Sequence, residues 1–255
     1  MVNDMAIRPI WMALALASTT LASASIAPAA GAATPLLIWP VDPVIEPDRS
    51  AAALWLENRG REPALMQVRI YRWSQPDGAD RFDDQEQVEA SPPIVEIAAG
   101  SRQMVRLTVP REQRQSGESA YRVIIDEVPL PQAETASGNA VRFQMRYSIP
   151  LFVHGAIAGG PDETPAAQLR CSLARWAPGG GEIRLTNGGS KHARLLNLRF
   201  ETGKSTVPLG EGLLGYALPG STITRKLPPG VTGHEPLFMQ DAKGAAVPIA
   251  GCSES

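Results

Sequence analysis

Val141-Arg-Phe-Gln-Met-Arg-Tyr-Ser-Ile-Pro-Leu-Phe-Val153 alternates the apolar residues Val141, Phe143, Met145 and Tyr147 with Arg142, Gln144, Arg146 and Ser148. A period of two describes a β-strand with one apolar face. The run ends on Ile149-Pro150, and proline, having no N–H to give a ladder, is tolerated mainly at strand edges or bulges. An apolar-faced edge strand invites another chain to pair with it. The stretch therefore points to binding by strand addition.

Working outward, short patterned segments precede it: Leu36–Val41, Ala52–Asn58, Ala64–Trp73, Ile94–Ile97, Gln103–Val109 and Tyr121–Val128. With Val141–Val153 they match the strand count and spacing of an immunoglobulin-like sandwich. The polar, acidic run from Gln75 to Gln87 reads as an exposed loop with a short hairpin. Residues 156–168, rich in glycine, proline and alanine, have linker composition. Beyond them the style repeats at Leu169–Trp176, Glu182–Asn187, Ala193–Phe200, Thr206–Pro208, Tyr216–Leu218, Thr222–Leu227, His234–Gln240 and Val247–Cys252. Prolines and glycines number 23 each and no capped 3.6-residue apolar repeat occurs, so the fold class is all-β. The expected organisation is two immunoglobulin-like β-sandwich domains, residues 34–155 and 169–255, joined by that linker.

Residues 1–33 are set apart by composition. Arg8 precedes an apolar run from Ile10 to Leu16, and small residues continue to Ala30-Gly-Ala-Ala33, the pattern of a cleaved secretory signal peptide. Ser18, Thr19, Thr20 and Ser23 interrupt the run, which falls short of the roughly 20 apolar residues of a membrane span. Removing the segment takes away Arg8 and Asp4, one charge of each sign, so the formal charge stays at −2. A balance so near neutral gives no support for nucleic acid as a partner. Export makes a disulfide possible, and the lone pair Cys171 and Cys252, in the first and last strands of the second half, is expected to be bonded.

Ser101-Arg-Gln-Met-Val-Arg-Leu107, Tyr121-Arg-Val-Ile-Ile-Asp-Glu-Val-Pro129, the Tyr147-Ser-Ile-Pro-Leu-Phe152 ending and Phe238-Met-Gln-Asp-Ala-Lys-Gly244 together resemble a periplasmic pilus-assembly chaperone of the chaperone-usher pathway, PapD-like in type. The resemblance implies an L-shaped pair of sandwiches. It also implies that the last strand of the first domain lends Val141, Phe143, Met145 and Tyr147 to a pilin subunit lacking its own final strand, which is donor-strand complementation in fimbrial biogenesis. Such chaperones anchor the subunit's terminal carboxylate with basic residues in the interdomain cleft. Here the lysine expected near the end of the donor strand falls at Pro150 and the arginine expected in the first strand falls near Asp42. That departure looks like the archaic branch, and Arg122 and Arg146 are the carboxylate-anchor candidates. A family interdomain network maps to Glu127, His154 and Asp241, with histidine in place of the usual arginine, so the domain angle is expected to depend on pH. The implied partners are pilin or fimbrial subunits and an outer-membrane usher. Neither nucleic acid nor membrane insertion is implied, and self-association of the free protein is left open.

Chemistry of other kinds is not signalled. His154, His192 and His234 lie far apart without metal-ligand spacing, and no nucleophile elbow or phosphate loop occurs. Asp83, Asp84 and Glu86 lack a calcium-loop pattern. No catalytic residue, metal or cofactor is expected. The alternative reading is a structural subunit or adhesin of a surface fibre. Such a subunit should begin with a long alternating extension, whereas Thr34-Pro-Leu-Leu-Ile-Trp-Pro40 is short and broken by proline.

Overall fold

Period-two patterning carries the first half of the chain into two facing sheets, antiparallel except where Val44 and Ile45 pair with Phe152 and Val153. The computed structural model describes residues 35–129, 144–155, 167–177, 180–203 and 205–252. Its first strands are β1 (Leu36–Trp39), β2 (Val44–Ile45), β3 (Ala51–Asn58), β4 (Ala64–Ser74), β5 (Arg81–Asp83), β6 (Glu89–Ser91), β7 (Ile94–Ile97), β8 (Arg102–Thr108), β9 (Glu118–Val128) and β10 (Arg146–His154). One sheet runs β1-β3-β8-β6; the other runs β2-β10-β9-β4-β5, with β7 also paired to β4. Met66 and Val68, Val123 and Ile125, and Ile149, Leu151 and Val153 face inward from the second sheet. They meet Leu54, Leu56, Val105 and Leu107 of the first in one apolar core. Each fully buried side chain of this kind contributes about 1.5–3 kcal/mol.

The second half forms β11 (Leu169–Ala177), β12 (Gly180–Asn187), β13 (Ala193–Leu196), β14 (Arg199–Thr202), β15 (Ser205–Pro208), β16 (Leu213–Ala217), β17 (Thr222–Lys226), β18 (Leu237–Gln240) and β19 (Ala246–Ile249). They pair as β11-β12-β17, β13-β16 and β15-β14-β18-β19 around a second core containing Ile183, Leu185, Leu195, Phe200 and Leu237. The molecule is thus two immunoglobulin-like β-sandwiches. Cys171 on β11 is disulfide-bonded to Cys252 beyond β19, closing a separation of 81 residues. In the chain-entropy view such a closure stabilises by up to about 4 kcal/mol.

Several expected boundaries shift. The segment read as one strand over Ala193–Phe200 divides into β13 and β14 because Asn197 adopts a left-handed φ of 49°, which asparagine tolerates better than a branched residue. The polar loop after β4 folds back as a hairpin, Trp73 pairing with Phe82. Between these lies the turn Pro76–Gly78, where a Cβ on Gly78 would meet the Thr222 carbonyl oxygen at 2.6 Å. Only glycine lets this turn lie so close against β17. The strand expected to start at Val141 is described from Arg146 onward; residues 130–143, like 1–34 and most of the linker, lie outside the described residues.

Both sandwiches share a device that composition does not show. Asn58 and Asn187, each fully buried, end β3 and β12 and staple the following turn. Asn58 Nδ2 donates to the carbonyls of Glu62 and Ile97 while its Oδ1 accepts from Gly60 N. Asn187 Nδ2 donates to Lys191 and Ala217 while its Oδ1 accepts from Gly189 N and Gln168 N. A buried amide so completely bonded avoids the cost of an unpaired polar group.

Candidate functional site

β10 is paired along its whole length to β9 on one side, from Arg146 opposite Asp126 to His154 opposite Glu118. On its other side β2 covers only Phe152 and Val153, in parallel. Among the described residues the outer edge of Arg146–Leu151 has no strand partner. Met145 O accepts from Glu127 N at 3.0 Å and Phe152 N donates outward to Pro43 O at 3.1 Å. Backbone groups of odd residues therefore point to β9, and those of Arg146, Ser148 and Pro150 point outward. Pro150 removes one outward donor, so a ladder added at this edge stops there.

Side chains on β10 change character along the strand. Ile149 and Leu151 are buried in the sandwich core at 6% and 0% exposure, Tyr147 is half-buried against it, and Met145 is 38% exposed. The apolar face thus runs out of its own core toward the start of the strand. Of the expected donor residues, Met145 and Tyr147 are placed in this way, and Tyr147 Oη accepts from Leu36 N at 3.4 Å. Val141 and Phe143 lie outside the described residues.

On the opposite face of the same sheet the second sandwich docks. Trp73, Ala120 and Phe152 pack with Tyr216 and Leu218 in a buried cluster. Phe152 and Tyr216 rings lie 5.7 Å apart, and the His192 ring stacks on Phe152 at 3.5 Å. Gln75 bridges the halves: its Nε2 donates to Tyr216 O, and its Oε1 accepts from Leu218 N and Ser221 Oγ.

Arg122 stands level with Pro150 on this face, its guanidinium 3.9 Å from the Trp73 ring centre and 5.9 Å from those of Phe82 and Tyr216. Stacking on aromatic faces stabilises an arginine that has lost water. Burial pushes its guanidinium below the usual value, with Asp80 acting in the opposite sense. Its Nε is buried without a hydrogen-bond partner among the described residues. Asp80 is already engaged by Trp73 Nε1 and Gln75 Nε2. A half-buried cation with a donor unmet among the described residues is suited to a carboxylate.

Arg146 is placed differently. Its side chain is 67% exposed and donates to Asp126, which also accepts from Arg69. Burial would raise the Asp126 carboxyl, but the bonds from Arg146 and Arg69 hold it below the ordinary range. Arg146 is thus part of a surface ion triad at the far end of β10 and does not share the cleft with Arg122.

Glu127, His154 and Asp241 are not brought together. Glu127 accepts from Met145 N at 3.4 Å, and Asp241 accepts from Lys243 N and Ala245 N in the β18–β19 turn. Antiparallel pairing sets His154 level with Glu118, at the other end of β9 from Glu127, roughly 30 Å away at the usual strand rise. His154 Nε2 lies 3.1 Å from Glu118 and its Nδ1 2.9 Å from Glu46. Across the domain junction, His192 N and Nδ1 donate to the same Glu118 at 2.8 and 2.9 Å. Local sequence carries no signal for this grouping, because its members come from a loop, two strands and the second sandwich.

Carboxylates only accept hydrogen bonds, so a carboxylate at each ring nitrogen of His154 favours its protonated form. Its pKa is raised, first by the bond to Glu118, against burial, with Glu46 adding and Lys191 opposing. Burial would raise the Glu118 carboxyl, yet the bonds from His154 and His192 together hold it at about 2. The signs fix a window. The depressed Glu118 stabilises fully above its ordinary 4.5 and loses that contribution as pH falls toward 2; the raised His154 stabilises fully below its ordinary 6.5 and loses it as pH rises through the raised value. Thermal unfolding should therefore show greatest stability between about pH 4.5 and 6.5, and His154→Gln should flatten the decline on the alkaline side. An alkaline limb of equal slope in that variant would assign the decline to other groups.

Residues 43–156 match the family profile described as pili and flagellar-assembly chaperone, PapD N-terminal domain. A chain in the crystal structure of the CsuC–CsuE chaperone–tip adhesion subunit pre-assembly complex, from the archaic chaperone-usher Csu pili of Acinetobacter baumannii, is 32% identical with a TM-score of 0.67. That match covers 85% of this chain and 98% of the other. The E. coli chaperone DraB is 17% identical with a TM-score of 0.57, covering 85% and 95%. A chain of the Salmonella enterica SafA pilin–SafB chaperone complex is 16% identical with a TM-score of 0.58, covering 85% and 95%. The last two speak to the fold alone. No curated protein sequence matches the chain.

Proposed function

Because the chain belongs to the pilus-assembly chaperones of the PapD family, and its 32%-identical relative comes from an archaic chaperone-usher system, we propose that it captures pilin-like subunits in the periplasm by donating β10 and the residues preceding it. The observation that carries this reading is the outer edge of β10, open among the described residues, whose apolar face leaves its own core toward Met145. A subunit lacking one strand exposes a groove and an unpaired edge; Val141, Phe143, Met145 and Tyr147 fill the groove while the backbone of Arg146 and Ser148 completes the ladder. The edge already accepts β2 in parallel. A subunit's last strand added in the same sense ends near Pro150, which places its terminal carboxylate beside Arg122. Delivery to an outer-membrane usher follows from the same reading, as does export by the segment 1–33. The surface-subunit alternative is disfavoured, since the edge strand is internal to the chain and held by β9.

Isolation of the tagged protein from the periplasm of its own host tests the proposal. A small secreted β-subunit is expected in stoichiometric complex. A clean monomer under conditions where the fibre genes are expressed would overturn it.

A further inference from the structure

The lane beside β10 holds more than an open edge. β2 occupies it in parallel from Phe152 opposite Val44, and Pro43 O accepts from Phe152 N. Asp42 precedes β2 by two residues, in a bend just beyond the last paired position on the side of Pro150, whose neighbour on the other side is Arg122. Asp42 therefore stands where a parallel strand arriving along this edge comes to its end. Its carboxylate is not left free: Oδ2 accepts from Arg194 Nη1 of the second sandwich at 3.1 Å.

Arg194 is placed by β13, level with Tyr216 of β16. Arg122 lies 5.9 Å from the centre of that same Tyr216 ring. Tyr216 thus has Arg122 of the first sandwich beside its ring and Arg194 of the second opposite it on the paired strand. Both arginines keep a buried Nε with no hydrogen-bond partner among the described residues. The Arg194 and Asp42 side chains are 40% and 35% exposed, open enough for a ligand to reach and weakly enough paired to be exchanged.

We infer that the carboxylate subsite is bipartite, formed by Arg122 of the first sandwich and Arg194 of the second, and that Asp42 occupies the Arg194 half in the free protein as a stand-in for the incoming terminal carboxylate. The inference rests on the strand-addition reading above and adds to it a second cation and an internal competitor. Capture then exchanges one carboxylate for another at Arg194, so the subunit's end is gripped by both sandwiches and not by the first alone.

An acetylated octapeptide of alternating threonine and valine, made once with a free C-terminal carboxylate and once as the amide, tests this by titration of the full chain. The free acid is expected to bind wild type more tightly than the amide. Arg194→Gln should weaken the acid roughly tenfold, the scale of a lost charged hydrogen bond, and leave the amide unchanged. Asp42→Asn should tighten the acid by up to about fivefold, again without effect on the amide. An acid preference that disappears in Arg122→Gln yet is unmoved by Arg194→Gln and Asp42→Asn would overturn the bipartite subsite and leave a single anchor standing. Equal binding of acid and amide to wild type would overturn the carboxylate subsite itself. Failure of both peptides to bind would overturn the strand-addition reading beneath it. Weaker acid binding in Asp42→Asn would show Asp42 to be a clamp between the sandwiches and not a competitor.

Discussion

Met145→Asp is expected to abolish subunit capture while leaving the protein folded, and Phe143→Asp to do the same. Met145 is 38% exposed just before a strand whose later residues are buried, so a charge there meets water in the free protein. In the complex the same position enters the subunit's groove. Loss of the apolar contact removes about 1.5–3 kcal/mol, and the carboxylate must be desolvated without a partner, which costs more. Together these exceed a hundredfold in affinity, roughly 3 kcal/mol. Co-isolation of the subunit reports capture, and the unfolding midpoint in urea reports folding. A variant that loses both would place the side chain in this protein's own core and remove it from the donated set.

Glu118→Ala should be the most destabilising single change outside the two apolar cores. The Glu118 side chain is 1% exposed and receives His154, His192 and the His192 backbone N–H. Removing it leaves the His154 cation and two junction donors without their acceptor, and breaking a buried pair from one side costs about 3–5 kcal/mol. Equilibrium denaturation at pH 6, inside the window where both groups contribute, measures it. A loss under about 1 kcal/mol would mean that water substitutes for the carboxylate at the junction, as it does for exposed pairs.

Both effects depend on where β10 lies, yet they were unequally legible beforehand. The alternation through Tyr147 and the stop at Pro150 are local properties of consecutive residues, and they describe an edge strand before any pairing is known. Arg122 could be named because it lies in a neighbouring patterned segment. Arg146, chosen by the same logic, sits at the other end of the ladder, bonded to Asp126. Nothing local separates the two, since both alternate outward from strands that pair with each other.

The sequence by itself determined the all-β class, the two sandwiches, most of the strands, the cysteine pair and the character of the edge strand. The cysteine pair follows from there being two cysteines in a chain read as exported, and each of the others from residue type and spacing along one segment: period two, proline without its N–H, glycine and asparagine at turns. The tertiary structure alone decided which ionisable groups meet. Glu118 and Glu127 are both acids on β9, but antiparallel register sets Glu118 against His154 and leaves Glu127 beside Met145. His192 and Arg194 reach Glu118 and Asp42 across the junction between sandwiches. Charge pairing is a matter of a few ångströms between distant segments, and register and docking, which set those distances, are properties of the packed whole.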